Sequence, residues 1–288
     1  MHPISREVIG TTIGEHTFEY TWRDMVLYAL GVGAKENEME YLYEKSLKAI
    51  PTFGAVPYWG TFGITPYRAI PRNVVISLNL NLEGSLHMSH ELILHKPIPP
   101  MGATFTFDDV VADIFDRGGK GAVIRSELTA YDTDGEKVFT NIGDTYFRDY
   151  FAPDSEIYPR SEVVFPNRAP DFMERDLIPS TQNLLYRLSG DTNLLHVDSE
   201  TAAQAGFPKP NMQGLCTLGY ACRMSINFLF PKEPERMKRI GAQMRNPLFP
   251  GTEMELQLWK IAEYRAYFRL VDLSTGKPAL EKGFIEWR

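Results

Sequence analysis

Apolar and polar positions alternate along much of this chain, and the alternation comes in two series. The first holds DDVVADIF (108–115), GAVIRSELTAYD (121–132) and KVFTNIGDTYF (137–147). The second holds MELQLWKI (254–261), YRAYFRLVD (264–272) and ALEKGFIEW (279–287). A period of two with frequent Val, Ile, Phe and Tyr predicts half-buried strands. Turn sequences such as RGGKG (117–121) and TDG (133–135) separate several of them and predict antiparallel hairpins. Each series is introduced by a similar phrase. KPIPPMGATFTF begins at Lys96 and NPLFPGTEMEL begins at Asn246, and each places a Pro-x-x-Pro pair before a glycine and then an alternating run. The chain therefore reads as two similar halves. The stretch between them carries Pro153, Pro159, Pro166, Pro170 and Pro179. Proline removes a donor and fixes φ, so no regular core element is expected there. The expected organisation is a first domain over 1–150, a crossing linker over 151–185 and a second domain over 186–288.

Helical spacing is rarer. WRDMVLYALGV (22–32) sets Trp22, Val26, Ala29, Leu30 and Gly33 at helical intervals, with Thr21 as N-cap and Asp24 three residues on. LCTLGYACRMSINFLF (215–230) is apolar nearly all round, which predicts a helix buried inside a curved sheet. It is short for a bilayer, and Arg223 and Asn227 interrupt it. The corresponding stretch of the first half is AIPTFGAVPYWGTFG (49–63), where Pro51 and Pro57 cannot both lie inside an intact helix. The first half is expected to have a reduced central helix and spare room that an acyl group could fill.

Composition narrows the function. The chain has 288 residues, 43% hydrophobic and 23% charged, with a net charge of −7. That is ordinary globular composition, and the acidic balance argues against general nucleic-acid binding. No apolar run spans a bilayer, the N-terminal stretch lacks an apolar signal core, and the C-terminal FIEWR is not a peroxisomal address. Cys216 and Cys222 form neither a disulfide framework nor a zinc spacing, so a reducing, cytoplasmic setting is expected. Gly31 and Gly33 do not make a dinucleotide fingerprint, and no Gly-x-Ser-x-Gly elbow is present. The basic stretch RMKRIGAQMR (236–245) reads as part of a basic rim or as a solvated linker.

The densest chemistry lies in YRLSGDTNLLHVDSETAAQAGF (186–207), where Asp191, Asn193 and His196 stand among Leu188, Leu194 and Leu195. Taken singly, Asp191 suits a turn or cap and His196 a structural histidine. Asp191, His196 and Asp198 make at most a partial metal site, since a third ligand at fixed spacing is missing, and no metal is expected. Taken together, they suit an acid–base pair beside an apolar substrate.

The stretch resembles the motif of the (R)-specific enoyl-CoA hydratases, also called hydratase 2 or MaoC-like dehydratases. Tyr186, Leu188, Ser189, Gly190, Asp191, Asn193, Leu195, His196 and Ala202 match it, and AGFPKPNMQGLCT (205–217) matches the segment that follows. YALGVGA (28–34), IPTFGAVP (50–57), KPIP (96–99) and NPLFPG (246–251) extend the likeness over nearly the whole chain. The resemblance implies an α+β fold of two tandem hot-dog units, each a curved antiparallel sheet around a helix, with the N-terminal helix reduced. It implies reversible addition of water to a trans-2-enoyl-CoA, giving the (3R)-3-hydroxyacyl-CoA. Asp191 and His196 would handle the water, Asn193 would orient the loop, the water or one of the pair, and the Gly214 N–H would hold the thioester oxygen. His87, Met88, Arg117 and Met244 would contact the substrate. It implies no cofactor, since CoA is part of the substrate, and a homodimer.

Several family positions differ. Leu194 replaces a proline, Gln213 a histidine, Met88 a glycine, Met244 an aromatic residue and Arg117 a lysine. The two methionines point to an unusual acyl group, branched, cyclic or bulky. A hot-dog thioesterase and a non-catalytic acyl-CoA-binding subunit are the alternatives.

Overall fold

The computed structural model describes residues 2–12, 16–59, 70–82 and 84–288. Gly60–Gly63 of the first-half helical stretch lie outside the described residues. The described strands are β1 His2–Pro3, β2 His16–Thr21, β3 Ser85–Leu94, β4 Gly102–Asp116, β5 Ala122–Tyr131, β6 Lys137–Phe147, β7 Tyr150–Phe151, β8 Phe172–Leu177, β9 Met237–Met244, β10 Glu253–Ala262, β11 Arg265–Asp272 and β12 Lys277–Trp287. The helices are α1 Trp22–Gly31, α2 Val56–Trp59, α3 Arg72–Ser77, α4 Gln182–Tyr186, α5 Ser199–Gln204 and α6 Gly214–Leu229.

Ten strands form one sheet in the order β2-β4-β5-β6-β3-β9-β12-β11-β10-β8. The order is palindromic by role. Read outward from the centre, β3-β6-β5-β4-β2 repeats as β9-β12-β11-β10-β8. This is the expected α+β arrangement of two tandem hot-dog units, fused edge to edge through β3 and β9. The seam is antiparallel, from Ser89 opposite Gln243 to Ile93 opposite Arg239.

Two expectations about strands are corrected. The segment read as a basic rim or linker, 236–245, contains β9, a central strand. Arg239 is met across the sheet, where its Nε donates to Glu91 at 2.6 Å and its Nη1 lies 3.9 Å from Glu286. The stretch 151–185 is not wholly irregular, because β8 and most of α4 fall inside it. Proline's constraint holds locally. Pro153, Pro159, Pro166 and Pro170 precede β8 and Pro179 follows it, leaving the proline-free 172–177 to pair with β10.

Helix α6 crosses the second half, with residues 215–226 all buried. The buried Arg223 guanidinium is fully engaged there: Glu38 accepts from it at 2.7 Å, Asp176 at 2.8 Å and the Val32 carbonyl at 3.1 Å. In the first half its counterpart is a 3-10 turn, Pro51–Ala55, running into α2. The reduced helix follows from the two prolines. The room beside it is largely taken up by rings: Phe53 lies 4.8 Å from Tyr20, 5.5 Å from Tyr28 and 6.2 Å from Phe18. Helix α1 starts where expected, with the N–H and O–H of Thr21 both donating to Asp24 at 2.8 Å. Its buried face is Met25, Tyr28 and Ala29, continued by Val32, while Trp22 and Leu30 are exposed. The helix is apolar around more than half its circumference, so periodicity alone left the inward stripe open. No helix among the described residues is long and apolar enough to cross a membrane.

Candidate active site

Between α4 and α6 the chain makes no strand and little helix, and short-range bonds hold it. Ser189 ends a 3-10 turn, and Gly190 then takes φ +126, a conformation that side chains disfavour. Asp191 follows at once. Its Oδ1 accepts from the Asn193 N–H at 3.3 Å, and the Asn193 side chain accepts from the Leu195 N–H at 3.0 Å. Asn193 thus caps the 3-10 turn Leu194–His196. Of the three roles expected for Asn193, the geometry shows the loop-orienting one. The short turn carries His196 back over Asp191, with Nε2 3.9 Å from the Asp191 Oδ2. That gap is too long for a direct hydrogen bond and wide enough for one oxygen to bond both groups.

The other face of the imidazole is tied down. His196 Nδ1 lies 2.9 Å from the Asn211 Oδ1 and 3.1 Å from the Asn211 carbonyl. Both partners are acceptors, so Nδ1 carries a proton and Nε2 is the nitrogen that faces Asp191. The Asn183 side chain donates to the His196 carbonyl at 2.7 Å, and the Gln213 side chain donates to the Asn183 carbonyl at 3.0 Å. His196 is thereby fixed to Gln213, the N-cap of α6. Gly214 is the first residue of that helix, so its N–H has no acceptor within the helix. The helix dipole adds positive potential at the same point.

Burial raises the Asp191 carboxyl above its ordinary range, and His196, the Asn193 N–H and Arg187 partly oppose that shift. The carboxyl side chain is 15% exposed and that of His196 10%. The leucines do not form the closed wall expected from the sequence. Leu188 is 50% exposed and Leu194 58%. The 3-10 geometry that turns His196 inward turns Leu194 outward. Burial pushes the Tyr186 hydroxyl and the Cys216 thiol well above their ordinary ranges, and the Asp191 charge adds to both shifts. Asp198 also belongs elsewhere: it caps α5, accepting from the Thr201 N–H and O–H at 2.7 Å.

Met244 packs over the helix start, its Cγ 3.2 Å from where a Gly214 Cβ would stand. Met88 and Met244 flank the paired residues Ser89 and Gln243 at the same end of the seam. Met88 is the extra residue of a bulge between His87 and Ser89. His87 and Arg117 belong to a neighbouring cluster in the first half. The His87 ring stacks on Tyr58 at 5.8 Å and meets His90 edge-on at 5.3 Å. Burial lowers the His87 pKa well below the usual histidine range, and His90 is lowered to about 4 by the same cause. The Arg117 guanidinium lies exposed over Tyr158 at 5.4 Å and Tyr146 at 6.0 Å. Tyr158 donates to Asp144, which Arg125 clasps with two bonds at 2.8 and 3.0 Å.

The structure therefore joins Asp191, Asn193 and His196 directly and ties Gly214 and Met244 to them through α6. His87 and Arg117 are placed instead in the first-half cluster, His87 against Tyr58 and His90 and Arg117 over Tyr146 and Tyr158. Sequence reasoning missed Asn211 and Asn183. Asn211 stands in the PKPNMQG loop, where an amide two residues before the cap of a buried helix was the available signal.

Residues 18–149 match the family described as the MFE-2 hydratase 2 N-terminal domain, and residues 163–282 match the MaoC-like domain family. An enoyl-CoA hydratase, ChsH3, from Mycobacterium tuberculosis is 34% identical over 90% of both chains. The chain belongs to the hydratase 2/MaoC-like family. The mouse peroxisomal multifunctional enzyme type 2 is 30% identical over 96% of this chain, which spans 38% of that longer protein. A MaoC-like dehydratase from Phytophthora capsici superposes with TM-score 0.87 at 25% identity, covering 98% of this chain and 96% of the other. For the fold alone, a Mycobacterium tuberculosis protein described as a double hot dog superposes with TM-score 0.55 at 12% identity, over 96% of this chain and 97% of that one.

Proposed function

We propose that this chain is an (R)-specific enoyl-CoA hydratase that adds water reversibly to a trans-2-enoyl-CoA, with Asp191 and His196 sharing the reacting water. The observation that carries this reading is the His196 ring, whose Nδ1–H is committed to Asn211 and whose Nε2 faces Asp191 at 3.9 Å. A water bonded to both groups loses one proton to the pair as its hydroxyl attacks C3. The pair returns a proton to C2 on the same face, so the net change is addition of H and OH across the double bond. Burial raises the Asp191 carboxyl above its ordinary range and makes its carboxylate a stronger base, which suits a group that must accept and release that proton. The Gly214 N–H and the α6 dipole stabilise the negative charge that gathers on the thioester oxygen. His87, Met88, Arg117 and Met244 contact the substrate in this reading, Arg117 as an exposed cation for CoA phosphates. Met88 and Met244 favour a branched, cyclic or bulky acyl group, because methionine packs adaptably. The reaction needs no cofactor beyond the CoA of the substrate. A homodimer belongs to the same reading, supported by the exposed Met173 and Leu177 on the edge strand β8. Two free, buried thiols suit a cytoplasmic location.

The test follows the ultraviolet absorbance of a conjugated enoyl thioester, crotonyl-CoA and then bulkier enoyl-CoAs, with thiol release monitored in parallel. Absorbance should fall without free thiol, and Asp191→Asn and His196→Ala should each lower kcat by about 10²–10⁴-fold. Free thiol would instead indicate a thioesterase. Binding without turnover of any enoyl-CoA would indicate a non-catalytic subunit. Equal activity on straight chains with no better substrate would count against the bulky acyl group.

A further inference from the structure

The two Pro-x-x-Pro phrases are offset by 150 residues, Lys96 against Asn246. The same offset relates Glu91 to Gly241, and these two residues face each other across the β3–β9 seam. The internal twofold therefore passes through that pair. It carries Met244 onto Leu94 and His87 onto Met237, both at the same offset of 150. The candidate active site must have a twin at the opposite end of the seam.

A cavity of about 230 Å³ lies at that place, lined by Ala49, Pro51, Leu94, Ile98 and Met237 among others. Its lining is mostly apolar, and it is a separate space from the Asp191–His196 region. The chemistry of the active site is missing from it. The 3-10 turn that takes the place of α6 in the first half begins at Pro51, so its first position has no N–H to offer an oxyanion. No Asp–His pair precedes it in the sequence 35–50. What survives is the apolar recess and two cations at its rim. Lys48 bonds the Lys232 carbonyl at 2.6 Å and Glu235 at 3.2 Å, and Lys96 pairs with Asp132. Both lysine side chains are over one-third exposed. Exposed pairs of this kind are weak, so an incoming anion can replace the carboxylate at small cost.

We propose that this twin recess is a second, non-catalytic binding site for a medium-chain fatty acyl thioester. The acyl tail enters between Leu94 and Met237, and Lys48 and Lys96 meet the anionic carrier. The ligand class rests on the hydratase reading, because the recess is the symmetry mate of the proposed thioester site. A place for the tail is kept while catalysis is confined to one site per chain.

The probe is dodecanoyl-CoA, which lacks the double bond and cannot be hydrated. Titration calorimetry should give two sites per chain. Ala49→Trp and the rim variant Pro97→Trp should each reduce this to one while leaving crotonyl-CoA hydration within twofold of the parent, which also reports correct folding. Hydrogen exchange of the unaltered chain should show dodecanoyl-CoA protecting peptides covering 47–51 and 94–98. One site per chain, or no protection of those peptides, overturns the proposal. If hydration is present with a single site, only the twin recess is refuted. If two sites bind but no enoyl-CoA is hydrated, only the hydratase reading fails.

Discussion

Asn211 decides which nitrogen of His196 faces the reacting water. Its two acceptors hold the proton on Nδ1, and its amide oxygen provides the shorter contact. Asn211→Ala keeps the backbone acceptor and loses the other. A neutral hydrogen bond of this kind is worth about 0.5–1.5 kcal/mol, so kcat should fall by up to about tenfold with KM little changed. An unchanged kcat, or a change confined to KM, would remove Asn211 from the positioning of the ring. Asp191 bears on stability in the opposite sense. Its carboxyl is raised by burial, so the folded state favours the protonated form. The contribution is favourable in acid and is lost as pH rises through the raised value. Asp191→Asn should therefore raise Tm at neutral pH by on the order of a few degrees while abolishing turnover. The gain should shrink as pH falls toward the ordinary carboxylate range. A lower Tm at neutral pH would show that the carboxylate is a net stabiliser. The sequence disclosed Asp191 and His196 because their types and spacing fit an acid–base pair and a known motif. It could not disclose Asn183 and Asn211, whose partners lie thirteen and fifteen residues away on turns with no periodic signal.

At the scale of elements, periodicity revealed β4, β5, β6 and β10–β12, because each alternates clearly between two faces. It failed for β9. Arg239 looks like surface until Glu91 and Glu286 are seen beside it, and those partners sit on other strands. It also left unresolved how α6 tolerates Arg223. That guanidinium, 1% exposed, ties α6 to Glu38 after α1 and to Asp176 on β8, while Asn227 donates to the second oxygen of Glu38 at 2.6 Å. Removing one partner of such a group leaves buried charges unmatched. Arg223→Ala should cost about 3–5 kcal/mol in urea unfolding. The triple variant Arg223→Met, Glu38→Gln, Asp176→Asn should recover most of that loss, because no buried charge is then stranded and Lys35, which loses its Asp176 partner, is 44% exposed. If the triple variant is as unstable as Arg223→Ala, packing of the long side chain, not charge pairing, holds the three elements together.

At the scale of the whole molecule, two halves that the repeat made visible turn out to share one sheet and one core. A single apolar cluster runs from Phe18 and Phe53 in the first half through α6 to Trp287 in the second, and the β3–β9 ladder crosses between them. Two domains joined by a linker would unfold separately, whereas a shared sheet and core make each half part of the other's stability. Phe53→Ala separates these cases. The ring is 2% exposed, and its loss should cost about 3–5 kcal/mol. If the molecule is one cooperative unit, the slowest-exchanging amides of β10 and β11 should lose as much hydrogen-exchange protection as those of β4 and β5, although Phe53 lies in the first half. If only β4 and β5 lose protection, the seam is a contact between independent folding units. Cooperative loss would also tie the candidate site to first-half packing, since Met244, at the end of the strand that pairs with β3, packs on the start of α6.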